Sequence, residues 1–423
     1  MQELNYLKQL DKFGVQPGLE RIELLLDYLD NPEEELNIIH IAGTNGKGST
    51  AALLTSIYKE AGYKVGTYNS PEIVEFNERI RINDTYISDD RLATLIQELK
   101  PVIQKVENEL AHPTFFEVVT AAAILYFAQE KVDLAILEVG MGGRFDATNV
   151  GQSLLSVITN VSLDHKEYLG DDLSEITLEK GGIIEEDQPV ITAANKEEVK
   201  DKLAEIAAEK EADLINVNDY FFWDKKETPG RIQKLDISGL RRTYKDLVLP
   251  LLGSYQITNT VTAIGVVEIL YNKYPIAPKF IKEGINKVEW PGRLEVVSEE
   301  PLIILDGAHN QAGAKQLCIE LQKLNYERLI LVLSFLGDKD YQSMIDQLIN
   351  FADKLILSQN NNPRAASVEK LFDYAQNYEA DIELEEDLIK AVDYALKDAA
   401  EKDLILIGGS LYTVSQIREK FML

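Results

Sequence analysis

The sequence predicts an α/β protein in two parts: an N-terminal P-loop-type domain with a mostly parallel sheet, and a smaller C-terminal doubly wound, Rossmann-like domain. Three observations predict it. Short β-branched runs alternate with helix-length stretches from about residue 37 onward, the pattern of parallel strands covered by helices. A break at Trp290-Pro291-Gly292-Arg293 separates two such series. At 423 residues the chain exceeds what one hydrophobic core usually serves.

Taken in order, the first series of strands is expected at 37–42, 64–69, 134–139, 154–159 and 189–193, with helices at 49–61, 90–110 and 115–130. Segment 220–251 differs: Phe221-Phe222-Trp223 leads through a Pro229-Gly230 turn into short alternating runs, which suggest a small antiparallel hairpin. A helix at 256–274 follows, and the domains are set at 1–290 and 294–423. The second series is expected at 302–305, 329–333, 354–358, 381–384 and 404–407, each strand followed by a helix. No internal repeat or low-complexity segment interrupts this plan.

Forty-five per cent hydrophobic residues can fill both cores, yet no apolar run approaches the ~20 residues that span a bilayer. The start, Met1-Gln2-Glu3-Leu4-Asn5, lacks a basic segment followed by an apolar one, so a soluble, unexported, cytoplasmic protein is expected. Cys318 is alone and reads as packing inside a helix. The formal charge of −28 repels nucleic acid and anionic membranes, which excludes both as expected partners. It does not exclude a local phosphate site, which works through dipoles, one or two lysines and a divalent ion.

Such a site is encoded after the strand Ile38-Ile39-His40-Ile41-Ala42, where Gly43-Thr44-Asn45-Gly46-Lys47-Gly48-Ser49 opens a helix. Glycines let backbone N–H groups turn onto phosphate oxygens, the helix N-terminus adds partial positive charge, and Lys47 adds a full one. The usual G-x-x-x-x-G-K-[ST] spacing is broken, because Ile41 stands at the first glycine and Gly48 separates lysine from hydroxyl. That disfavours an ordinary P-loop kinase or GTPase. Gly140-Met141-Gly142-Gly143 touches a dinucleotide fingerprint but fails at Phe145, so NAD is rejected.

The loop resembles that of the Mur-ligase family of ATP-dependent amide-forming enzymes, and the resemblance runs along nearly the whole chain. It rests on Gly18-Leu19-Glu20-Arg21, the phosphate loop, Ser70-Pro71 with Asn77-Glu78-Arg79-Ile80, and Phe115-Phe116-Glu117. It continues through Glu138 to Asn149, Asp164-His165, Glu179-Lys180-Gly181-Gly182, Trp290-Pro291-Gly292-Arg293 and Asp306-Gly307-Ala308-His309-Asn310. The set is most similar to the branch that joins L-glutamate to folate or dihydropteroate, with residues 144–148 closer to bifunctional bacterial members. A cell-wall precursor ligase of the same family would need a further nucleotide-binding domain, and only 42 residues precede Gly43.

The resemblance implies roles residue by residue. ATP would lie on Thr44, Asn45, Gly46, Lys47, Gly48 and Ser49, with Asn259, Arg293, Asp306 and His309 as further nucleotide contacts. Two Mg²⁺ sites would draw on Ser49, Ser70, Glu138, His165 and Lys180, the last as a carbamate. Lys47, Glu138, His165 and Lys180 form the implied catalytic set, and Leu19, Arg21, Phe116, Glu117, Phe145, Asp146 and Ala147 the acceptor site. Arg293 would act when the second domain closes over the first, with substrate in the cleft between them.

Several of these residues also have ordinary readings. Lys180 at the end of an acidic helix is normally a solvated charge. Asn259 could be a helix cap. Phe116 could be core packing. A lone His165 is more often structural, and Asp306-Gly307 also favours a plain turn. Tyr255 stands where the family's Gly-x-His-Gln-x-x-Asn element has histidine. His40 is expected to be structural, and His112, before Pro113, to be solvent-exposed. A monomer is expected.

Overall fold

The structure is a computed structural model that describes residues 2–14, 16–226 and 232–421. The chain forms two compact units: Met1–Glu72, Phe76–Pro250 and Ile257–Val288 make the first, and Ile73–Glu75, Leu251–Gln256 and Glu289–Leu423 the second.

The first unit holds β1 (Ile38–Ala42), β2 (Val65–Tyr68), β3 (Ile80–Ile82), β4 (Thr85–Tyr86), β5 (Leu134–Glu138), β6 (Ser153–Ile158), β7 (Val190–Thr192) and β8 (Leu214–Asn216). Their order across one sheet is β4-β3-β2-β5-β1-β6-β7-β8. The six from β2 to β8 run parallel, while β3 and β4 extend the edge as an antiparallel pair. Every residue of β1 and β5 is buried, as expected for strands covered on both faces. Apolar faces of the helices Glu20–Asp27, Asp89–Glu109 and Phe115–Gln129 cover Ile38, Tyr68 and Leu137.

Segment 220–251, expected as a hairpin, is a three-stranded antiparallel sheet ordered β11-β10-β9, from β9 (Phe222–Lys226), β10 (Gln233–Ser238) and β11 (Thr243–Leu249). One strand more than the expected pair forms, and β9, which the Phe221-Phe222-Trp223 run marked, carries little alternation in its Phe222-Trp223-Asp224-Lys225-Lys226 sequence. The expected Pro229-Gly230 turn lies outside the described residues.

In the second unit β12 (Glu295–Glu299) pairs antiparallel with β13 (Leu302–Asp306), and β13, β14 (Leu329–Leu333), β15 (Lys354–Gln359), β16 (Ile382–Asp387) and β17 (Leu404–Gly408) run parallel in the order β13-β17-β14-β15-β16. Period-two alternation divides its core. Leu329, Leu331, Leu404 and Leu406 face one layer of helices, and Ile330, Val332, Ile405 and Ile407 face the other. Cys318 is buried in the helix Gln311–Leu321, as its setting predicted. No helix among the described residues is long and apolar enough to cross a membrane.

Candidate active site

Register brings the site residues of the first unit to one edge of its sheet. Ile41 in β1 lies beside Glu138 in β5, Ala42 beside Ile158 in β6, and Tyr68 in β2 beside Leu137. Asn69-Ser70, Glu138, the phosphate loop and Thr159-Asn160 therefore leave the sheet side by side at the carboxyl ends of the strands, where open α/β sheets bind ligands.

The loop is held from below by its neighbour. Asn160 receives the Asn45 N–H on Oδ1 at 3.0 Å and donates Nδ2 to the Asn45 carbonyl at 2.7 Å, while its own carbonyl accepts from Thr44 N at 2.9 Å. The Thr159 hydroxyl donates to the same Asn45 carbonyl at 2.8 Å. Thr44 Oγ1 is tied to Ser162 by two bonds of 3.1 and 2.9 Å. Gly43 has φ +144°, and a Cβ there would overlap the Thr159 hydroxyl, so the approach requires glycine. Gly46, φ +89°, caps the helix Lys47–Glu60, in whose first turn Lys47, Gly48 and Ser49 lie; a Cβ at Gly46 would stand 2.5 Å from Asn259 Oδ1. Asn259 is thus set against the phosphate loop from the second turn of the helix Ser254–Ile269, not at its cap.

Lys47 Nζ donates to the Gly43 carbonyl at 3.1 Å and lies 3.9 Å from Glu138 Oε1. The other carboxylate oxygen of Glu138 accepts from Asn69 Nδ2 at 2.8 Å, which fixes its orientation. Lys180, at the end of the helix Leu173–Gly181, is only 5 % exposed, so it is not a solvated surface charge. Its Nζ donates to the same Gly43 carbonyl at 3.3 Å. Burial, then the Lys47 ammonium, push its amine down to about 7 against the pull of Asp164, Asp146 and Glu179. His165 sits on an exposed loop at φ +51°, with Nε2 3.9 Å from Asp164 Oδ1. Ser70 follows Asn69 directly.

Among the described residues no group of three or more His, Cys, Asp and Glu side chains is assembled to cage a metal. The donors at the loop fit magnesium rather than a transition metal, because magnesium takes hard oxygen ligands, one or two carboxylates together with substrate phosphates. Glu138 would offer a carboxylate and Ser49 a hydroxyl to such an ion.

The residues expected at an acceptor are only partly brought together. Arg21 and Glu117 bind each other, with Nη2 to Oε1 at 2.9 Å and Nε to Oε2 at 3.1 Å. Glu117 also closes a capping box with Thr114 at the head of the helix Phe115–Gln129. This pair is a built-in clamp. Arg21→Ala is expected to destabilise the fold by about 3 kcal/mol, since it strips a buried carboxylate of its partner. The measurement is the urea midpoint at unchanged slope, and a loss below about 1 kcal/mol would remove the clamp role.

Phe116 packs at the edge of the core, 5.9 Å from the Tyr68 ring and against Gly140. Leu19 and Ala147 belong to the same cluster. Phe145 is 44 % exposed beneath the Arg144 guanidinium. Asp146 is buried and accepts from Met141 N at 2.9 Å, Thr148 N at 3.0 Å and the Thr148 hydroxyl at 2.6 Å. His112, expected to be exposed, is half-buried, because its ring stacks on Phe13 at 4.3 Å and its Nδ1 lies 2.7 Å from the Pro113 carbonyl.

In the second unit Asp306 ends β13 and is buried, accepting from Leu294 N and Ala308 N at 2.9 Å each. Burial raises its carboxyl, and the Arg293 guanidinium opposes the rise. His309 Nδ1 lies 3.3 Å from the Gly307 carbonyl, and Asn310 caps the next helix. The Tyr255 hydroxyl is pushed well up by burial, with Asp306 adding to the shift.

Sequence reasoning missed Asn69 and Asn160, which hold Glu138 and the loop. Their signal was an asparagine in the first two positions beyond a strand's carboxyl end.

Comparison with known proteins agrees with this arrangement. Residues 41–267 match the Mur ligase middle domain, and residues 292–411 match the Mur ligase glutamate ligase domain. The dihydrofolate synthase/folylpolyglutamate synthase of Bacillus subtilis is 38 % identical over 97 % of this chain and 96 % of its own. Folylpolyglutamate synthase of Mycobacterium tuberculosis, solved with ADP and AMPPCP, superposes with a TM-score of 0.93 at 33 % identity, covering 99 % of both chains. FolC of Escherichia coli, solved with DHPP and ADP, superposes with a TM-score of 0.90 at 30 % identity, over 99 % of this chain and 97 % of that one. The chain belongs to the Mur ligase family, among its dihydrofolate synthases/folylpolyglutamate synthases.

Proposed function

We propose that the chain is an ATP-dependent ligase that forms an amide bond between L-glutamate and the carboxylate of a folate or of dihydropteroate, releasing ADP and phosphate. An acceptor carboxylate oxygen attacks the γ-phosphorus of ATP, the bond to ADP breaks, and an acyl phosphate results. The glutamate amine then attacks the acyl carbon, phosphate leaves, and the amine gives up a proton.

The observation that carries this reading is the meeting of a full cation and a carboxylate, Lys47 and Glu138, 3.9 Å apart beside the glycine loop and the helix N-terminus. Two anions must approach each other, and Lys47 with the loop N–H groups offsets their repulsion. Asn259, Arg293, Asp306 and His309 complete the nucleotide set. Ser49, Ser70, Glu138, His165 and a carbamylated Lys180 would hold Mg²⁺ at two sites. Magnesium, when bound, draws negative charge off the phosphates. Leu19, Phe116, Phe145, Asp146 and Ala147 are assigned to the acceptor, while Arg21 and Glu117 support them by gripping each other. The protein is read as a cytoplasmic monomer that engages neither nucleic acid nor membrane.

The test is ADP release measured with dihydropteroate and with tetrahydrofolate in parallel, each with and without L-glutamate. Release that needs both glutamate and a pteridine acid supports the ligase. Phosphorylated acceptor accumulating without glutamate, at the same rate, would make the protein a kinase, and binding of ATP with no release would make it a non-catalytic module.

A further inference from the structure

His40 lies inside β1, 2 % exposed, immediately beneath the phosphate loop. Its Nε2 is 2.8 Å from the Thr148 hydroxyl, which in turn is 2.6 Å from Asp146 Oδ1. The hydroxyl has one proton. Burial raises the Asp146 carboxyl and its three hydrogen bonds from residues 141 and 148 oppose the rise; in this geometry the Thr148 hydroxyl gives its proton to Asp146 Oδ1. The hydroxyl can then only accept from the ring, which requires the proton of His40 to sit on Nε2. Burial pushes the imidazole down to about 3, which leaves it neutral with one N–H to give.

The loop that Asp146 closes is joined both to the strand that feeds the phosphate loop and to the helix of Lys180. It begins two residues after Glu138. Arg144 N donates to the Glu179 carbonyl at 2.8 Å, and Asn149 Nδ2 donates to the Gly182 carbonyl at 3.3 Å, which fastens the loop to the helix of Lys180. One buried chain of donors thus runs from the strand of the phosphate loop to the turn between Glu138 and Lys180.

We propose that His40 is a positioning residue: its Nε2–H turns the Thr148 hydroxyl onto Asp146 and so fixes that carboxylate, and the loop around it, for the acceptor. The inference rests on the ligase reading for what Asp146 faces, but not for the order of the protons. A buried histidine that merely filled space would have no preferred tautomer and no partner whose hydroxyl mattered.

Two measurements decide it. The sequence has four histidines, so ¹⁵N-histidine spectra can be assigned with a His40→Gln variant. His40 is expected as the Nε2–H tautomer at neutral pH, and an Nδ1–H tautomer or an imidazolium would overturn the proposal whether or not the protein turns over. In kinetics, Thr148→Val is expected to raise KM for the pteridine acceptor between about ten- and a hundredfold, the scale of a lost hydrogen bond to a charged group, with KM for ATP changed less than about twofold. Thr148→Ser, which keeps the hydroxyl, restores it. Unchanged acceptor KM in Thr148→Val, or an equal rise for ATP, defeats the positioning role. Failure of the wild type to turn over defeats the ligase reading instead.

Discussion

Lys47→Ala is expected to lower glutamate-dependent ADP release by at least about a thousandfold while the fold is kept, a loss on the scale of removing a preorganised charge from a phosphoryl-transfer site. The side chain starts in the first turn of its helix and folds back to the Gly43 carbonyl at 3.1 Å, so its ammonium is held where the phosphates must lie and no ordering is left to be done during reaction. Its loss should cost little stability, because the Gly43 carbonyl is also bonded by Lys180 at 3.3 Å and Glu138 keeps Asn69. Lys47→Arg should not rescue, since a planar fork is longer and cannot occupy the site of a compact ammonium. The check is steady-state ADP release beside a thermal unfolding curve. Turnover above a tenth of wild type with an unchanged curve would take Lys47 out of the chemistry.

The two strands that carry the centre of this site were legible because each is buried on both faces and reads as a largely apolar run: Ile38–Ala42 and Leu134–Glu138 were expected within a residue of where they lie. What was not legible is short or sits at an edge. β3 and β4 have three and two residues, and β12, Glu-Val-Val-Ser-Glu, is half-exposed, so neither length nor hydrophobicity marks them. The phosphate loop was legible from glycines and a lysine in fixed order. The residues that hold it were not, because Asn69 and Asn160 act through side-chain bonds to partners 69 and 115 positions away, which no local pattern encodes. The same distance hid the fate of Arg21, whose guanidinium is taken by Glu117 96 positions on. Lys180 shows the limit from the other side: an acidic helix suggests exposure, and only tertiary packing buries its amine.

That burial makes the second large prediction. Lys180→Met is expected to cost at least about a hundredfold in turnover, the range of losing a ligand-bearing or charge-stabilising group, and to remove a rise of stability with pH. The native amine sits near 7, against an ordinary 10.5, first because it is buried and next because Lys47 is close. Below about 7 both native and unfolded lysine carry the proton, and the full cost of a buried ammonium weighs on the native state. Between about 7 and 10.5 the unfolded chain holds a proton that the native one has released, so unfolding becomes harder as pH rises. Wild type should therefore gain on Lys180→Met across that window in buffer stripped of carbon dioxide, read as urea midpoints at a series of pH values. A neutral amine is also what attacks carbon dioxide: the nitrogen lone pair bonds the carbon, one proton leaves the nitrogen, and a carbamate anion stands where the neutral amine was. With bicarbonate present the rise should persist and begin below about 7, because a carbamate has shed the lysine proton at pH values where the free amine still holds it, and turnover should be higher at the low end. A slope that carbon dioxide does not touch, with turnover likewise indifferent, would leave Lys180 a plain buried amine and strip the proposed magnesium set of its carbamate.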